Sequence, residues 1–309
     1  CGADTDRRCA TKHRRRATIA ATKLADMHAN LYALGAIALW AGLASLGLAL
    51  RHLPPFLLTG IALVIGSVPA WPLARSWKVP PGTLALGVSG LFGFHFLLFI
   101  ALRTAPAVEA NLVNYLWPLF IVVLAPVFLR GVALRPSHVI GGLLGFAGAA
   151  VAILGAGGST GTWSWGYLPA LGSAFIWASY SLLTKRVAPF PTAAIGLFGL
   201  ISGVLSLLCH FAFETTPQVG GHDWALLAVM GLGPLGAAFF LWDRALKLGD
   251  ARHIGVLSYL TPLLSTALLL LVTGRGLSWP IAVAAALIVG GAVLGTRSGR
   301  PRQVTPSAA

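Results

Sequence analysis

The sequence predicts an all-α membrane protein: ten transmembrane helices forming two inverted five-helix repeats, with the N- and C-termini cytoplasmic. Three observations carry that prediction: an apolar composition nearly free of charge, ten apolar runs of spanning length, and an internal repeat offset by an odd number of runs. Of 309 residues, 57% are apolar and 10% charged, with a mean hydropathy of +0.82. A soluble domain carries roughly a quarter charged residues. The formal charge of +14 would suit nucleic acid, but Lys and Arg collect in the tails and short loops. In a membrane protein such clusters set orientation, so no nucleic-acid partner is expected. Cys1, Cys9 and Cys209 have no metal-like spacing, so neither a metal site nor a disulfide framework is expected. With no phosphate loop, no Ser/His/Asp grouping and no H-E-x-x-H, the expectation is a protein that is not an enzyme and needs no cofactor.

Residues 1–27 form a basic tail, read as disordered, carrying Arg7, Arg8, Lys12, Arg14, Arg15 and Arg16. A full-length span follows without a small-residue cleavage pattern, so a removed signal peptide is not expected, and Met27 is a candidate native start. The apolar runs lie at about 28–50, 54–74, 82–102, 106–129, 137–156, 165–186, 191–213, 223–247, 251–273 and 278–297. Each is near the ~17–25 residues a helix needs to span, and short connections make neighbours antiparallel. With the N-terminus inside, the inner loops hold Arg75, Lys78, Arg130, Arg135, Lys185, Arg186, Arg244, Lys247 and Arg252. The outer loops hold only Arg51, Arg103 and Arg275. That asymmetry places both termini, including a second basic tail over 298–309, in the cytoplasm.

The repeats are predicted at 28–157 and 165–297. A shift of 137 carries Leu31, Ala33, Leu34, Gly35, Trp40 and Ala41 onto Leu168, Ala170, Leu171, Gly172, Trp177 and Ala178. A shift of 144 over residues 96–119 gives nine identities in 24 positions, including Tyr115 with Tyr259 and Pro118 with Pro262. Five spans per copy is odd, so the second copy enters the membrane upside down, a recurrent plan of secondary transporters with a site near the midplane.

The organising stretch is Asn111–Pro118, where Asn111, Asn114, Tyr115 and Pro118 share one helical face. Proline breaks the helix at Pro118 and again at Pro262, freeing the carbonyls of Asn114 and Ser258. Such a polar stripe in hydrocarbon must face protein or a wet cavity. The expected pocket adds His95, an ionisable group deep in a span and so a functional candidate. It also adds Trp40, Trp117, Trp177 and Tyr180, and Ser258 with Tyr259 from the second copy. No Asp or Glu lies mid-span: Glu109 and Asp243 are near span ends. Aromatic faces, amides and hydroxyls without such charges suit a small neutral or zwitterionic solute.

On these residues the chain resembles the drug/metabolite transporter superfamily with paired EamA-type repeats. The resemblance rests on Leu31–Trp40 with Leu168–Trp177 and Ala101–Pro118 with Ala245–Pro262, and covers about 28–297. Within the superfamily, His95, Asn111–Pro118 and Ala178–Ser181 are similar to bacterial aromatic amino-acid exporters. The resemblance implies export of amino acids, aromatic ones among them, across the bacterial inner membrane; the expected mechanism is alternating access by a secondary transporter, acting as a monomer. The substrate ring is expected against Trp117, Trp177 and Tyr115, and its polar end on Asn114, Ser258 and His95. Coupling to protons through His95 and facilitated diffusion both remain open. The alternative substrate is another small amphipathic metabolite or drug, such as a nucleobase. A sensor or scaffold is disfavoured, because the longest non-membrane stretch is the basic tail.

Overall fold

The computed structural model describes residues 24–157, 163–273 and 279–296. Most of the first basic tail, all of the second, and Arg275 and Arg297 therefore lie outside the described residues. Helices α1 (Leu24–Ala49), α2 (Pro55–Ser76), α3 (Pro81–Thr104), α4 (Ala107–Phe128) and α5 (Pro136–Gly157) come first. They are followed by α6 (Tyr167–Leu183), α7 (Ala194–Phe213) and α8 (Gly221–Leu248). Next come α9, in two pieces (Ala251–Leu257 and Leu260–Thr273), and α10 (Trp279–Thr296). Seven of these, α1 to α5, α7 and α8, are long and apolar enough to cross a membrane. Large apolar side chains such as Val127, Phe211 and Leu271 point outward, as lipid-facing surface requires.

Helix starts follow proline chemistry. Pro55, Pro81 and Pro136 occupy first positions, where a missing N–H removes no helical bond. The open amides of α2 are capped from a distance: the Glu214 carboxylate accepts from Phe56 N and Leu57 N, each at 3.2 Å. Arg103 and His210 bind the same carboxylate, fastening the end of α7 to α2 and α3. The end of α2 tightens into a 3₁₀ turn over Val68–Ser76, where Pro69 and Pro72 remove amides.

Four interruptions shape the centre. α3 carries a π turn at Ser89–Gly93 and α8 another at Gly233–Ala237, the same positions displaced by 144. α4 breaks at Tyr115 and Leu116, ahead of Pro118, and α9 at Ser258 and Tyr259, ahead of Pro262. The carbonyl expected to stand free at Ser258 does not: the Thr261 N–H donates to it at 3.0 Å.

Glycines set the closest approaches. α5 packs on α10, where a Cβ at Gly141 would lie 2.8 Å from Gly291 O and one at Gly291 2.7 Å from Gly141 O. α2 packs on α7 with Gly60 and Gly203 at the contact. α6 lies against α3 and both pieces of α4, and the first piece of α9 lies against the second piece of α4.

Candidate functional site

A cavity of ≈ 590 Å³ lies among α1, α2, α3, α4, α6, α8 and α9. Exposed Arg51 and Leu102 stand at its mouth, on the side of the α1–α2 and α3–α4 connections. Trp40, Trp117, Trp177 and Phe239, the deepest contributions of their helices, make its floor. Their rings interlock edge to face: Trp40 is 6.4 Å from Trp117 and 5.8 Å from Trp177, and Trp117 is 6.3 Å from Trp177.

Seven of the residues singled out in the sequence line this cavity: Trp40, His95, Asn111, Asn114, Tyr115, Trp117 and Trp177. Trp40 Nε1 donates to Pro234 O at 3.1 Å, a carbonyl within the π turn of α8. His95 Nδ1 lies 2.6 Å from Leu91 O in the π turn of α3. A carbonyl only accepts, so Nδ1 carries a hydrogen, which leaves Nε2 as the acceptor whenever the ring is neutral. Asn114, buried at the break of α4, meets Ser173 of α6 at 2.8 Å.

The other residues sit elsewhere. Tyr180 is buried beneath the floor, 5.4 Å from the Trp177 ring and against Gly90, where a Cβ would come within 2.4 Å of it. Ser258 is fully buried and donates to Ile254 O at 2.8 Å within its own helix. Tyr259 is fully buried against Gly145, among Ala149 and Ile288, so its ring fills the α5–α10 side. α9 presents Thr261 and Ser265 to the cavity in their place, while Pro118 and Pro262 stay buried at the breaks.

The model of the EamA-like transporter family matches residues 27–154 and 164–297. The chain belongs to that family. This EamA-like transporter is 42% identical over 278 residues to the aromatic amino acid exporter YddG of Ancylobacter novellus, covering 87% of this chain and 96% of that protein. It is 27% identical over 232 residues to the aromatic amino acid exporter YddG of Escherichia coli K12, covering 71% and 78%. A solved crystal structure superposes with a TM-score of 0.81 at 42% identity, covering 87% of this chain and 96% of the other. The protein is thus a multi-pass membrane transporter of a small molecule, not an enzyme.

Sequence reasoning missed two residues that shape the transporter's cavity. Phe239 lines it, and Trp242 underlies the floor, tilted 28° to Trp177 at 6.2 Å with Nε1 donating to Ser181 Oγ at 3.1 Å. The repeat contained the signal, because the 144 shift pairs Phe239 with His95 and Trp242 with Leu98, both cavity residues. Beneath the floor, buried Asp243 accepts from Lys247 Nζ and Thr192 Oγ1, both at 2.6 Å, and Lys247 also donates to Phe190 O at 2.9 Å. Among the described residues, none that lines the cavity is acidic. The site offers ring faces, one amide-rich wall and an imidazole.

Proposed function

We propose that the transporter exports amino acids, aromatic ones and other neutral ones, across the bacterial inner membrane by alternating access between two inverted repeats. In this reading the ten helices each cross the bilayer and both termini are cytoplasmic. The cavity then opens outward and the tryptophan floor closes it from the cytoplasm. The carrying observation is the lining itself: three indoles and the phenyl rings of Phe94, Phe99 and Phe239 facing Asn111, Asn114, Tyr115 and His95. An aromatic side chain buries 150–250 Å², which at about 25 cal/mol/Å² is worth roughly 4–6 kcal/mol before ordering costs. A zwitterionic head needs hydrogen-bonding partners instead of a single opposite charge, and the amides, phenol and imidazole supply them. The relatives named as aromatic amino acid exporters support the same substrate class.

Counterflow into proteoliposomes, over a panel of amino acids and nucleobases with and without a pH gradient, tests the proposal. Exchange of tryptophan and phenylalanine above the protein-free background is expected. Exchange of nucleobases in their place would establish the alternative substrate class.

A further inference from the structure

We infer that Asp243 receives the substrate's ammonium group when the transporter opens to the cytoplasm, in the place that Lys247 holds while that end is closed. The inference rests on the amino-acid and alternating-access reading above. Asp243 is buried on α8, and its two oxygens are unequally used. Oδ2 accepts from Lys247 Nζ and from Thr192 Oγ1, both at 2.6 Å. Oδ1 is sealed off and has no hydrogen-bond partner among the described residues. A carboxylate has room for about four donors, so this one keeps acceptor capacity for another. Phe239 lines the cavity floor, and Asp243 and Lys247 follow it at i+4 and i+8, so the three share one face of α8. At ~1.5 Å per residue, Asp243 stands about 6 Å beyond the floor along the helix, and Lys247 about 6 Å further.

The repeat relates this network to the open mouth. A shift of 144 carries Phe99 onto Asp243, and a shift of 137 carries Leu53 and Pro55 onto Phe190 and Thr192. The three first-copy residues line the open cavity, whereas their mates are tied together through Lys247 and Thr192. In an inverted repeat the two ends exchange these states. Opening the inner end then parts α8 from the α6–α7 connection, so Asp243 loses the Thr192 hydroxyl and Lys247 loses the Phe190 carbonyl. The Lys247 side chain is 28% exposed and can turn to water; that of Asp243, at 1%, stays in the path. An amino acid's ammonium is the group that Lys247 presents, with three donors, so it replaces like with like and keeps the buried charge paired. The outer end lacks such a group: Phe99 stands in the place of Asp243, and Arg103, the mate of Lys247, pairs with Glu214. The amino group thus meets a carboxylate on the cytoplasmic side and neutral acceptors in the outer cavity, from which it is released.

The test uses the full chain in inside-out and right-side-out membrane vesicles, with vesicles lacking the transporter as background. Tryptophan and indole-3-propionate, which keeps the ring and carboxylate and lacks the amine, compete for tryptophan counterflow at each face. The readout is the preference for tryptophan over indole-3-propionate, because a variant that merely biases the gate moves both ligands together. Asp243→Asn should lower that preference about tenfold at the cytoplasmic face and leave it within about twofold at the outer face. Lys247→Gln weakens the internal competitor and should raise the cytoplasmic-face preference about threefold. An unchanged preference in Asp243→Asn, or an equal fall at both faces, overturns the inference and leaves Asp243 a structural latch. Should Asp243→Asn fail to fold, an unchanged or lowered preference in Lys247→Gln overturns it instead. Absence of tryptophan counterflow in the parent would remove the amino-acid reading beneath it.

Discussion

Gly255→Val is expected to hold the transporter open to the cytoplasm. Gly255 sits in the first piece of α9, where a Cβ would lie 3.0 Å from Ile121 Cγ2, 3.2 Å from Ile121 Cβ and 3.2 Å from Pro118 O. Both partners belong to the second piece of α4, so this is the packed contact beneath the floor. The 144 shift maps Gly255 onto Asn111, Ile121 onto Ser265 and Pro118 onto Pro262. Asn111 and Ser265 both line the open cavity, so one end of the α4–α9 pair is joined while the matching end is apart. In an inverted repeat the two ends exchange these states. Valine adds a Cβ and two methyl groups to the joined end only, and overpacking of that kind costs about 1–3 kcal/mol. With ~1.4 kcal/mol per factor of ten, the equilibrium moves about 5- to 150-fold toward the inward-open form. The assay is labelling of Ser265→Cys by a membrane-impermeant thiol reagent from outside, in a background with Cys1, Cys9 and Cys209 replaced by Ser. Gly255→Val should slow labelling by that factor, and an Asn111→Cys/Ser265→Cys pair should cross-link more in its presence. Unchanged labelling and cross-linking in a folded variant would refute the coupling of the two ends.

Trp177→Ala removes the ring at the centre of the floor and should impair counterflow of tryptophan about tenfold more than that of threonine; equal losses would assign the indole a structural role only. If export is coupled to protons through His95, His95→Gln should abolish its response to an imposed pH gradient, and an intact response would exclude His95 as the proton site. Gly145→Ala puts a methyl group 2.3 Å from Tyr259 Cδ2, inside a fully buried contact. It should cost about 1–3 kcal/mol, read as a lower unfolding temperature in detergent with transport per folded molecule retained.

The local sequence was enough to place helix ends and breaks, because prolines act through one missing N–H and a clash with the turn before them. The shared face of Asn111, Asn114 and Tyr115 was legible for the same reason: helical spacing alone puts them together, and all three reach the cavity. The matching pattern in α9 misled. Tyr259 repeats Tyr115, yet its ring enters the hollow that Gly145 leaves on α5, a complementarity 114 positions away that no local period encodes. Lys247 read as a loop charge that sets orientation, but in the fold it closes a buried network with Asp243, Thr192 and Phe190 O. Trp242 escaped notice because its repeat mate, Leu98, is aliphatic, so the 144 shift marks no shared aromatic position there.

The repeat explains why aromatic residues gather where they do. In the proposed inverted arrangement, equivalent residues of the two copies meet only near the axis that relates them. The pairs that meet here are Trp40 with Trp177, 5.8 Å apart, and His95 with Phe239, 6.4 Å apart. A single tryptophan position, once duplicated, therefore supplied both halves of an indole floor. The second pair diverged, with imidazole on one side and phenyl on the other, and this breaks the symmetry of the cavity. Asn114 and its mate Ser258 diverged likewise, one lining the cavity and the other turned into its own helix. A ligand in this chamber meets an amide and an imidazole from the first copy and mainly rings and aliphatic groups from the second. For the proposed amino-acid substrate, that asymmetry would distinguish the ring end from the polar end without calling on an acidic lining residue.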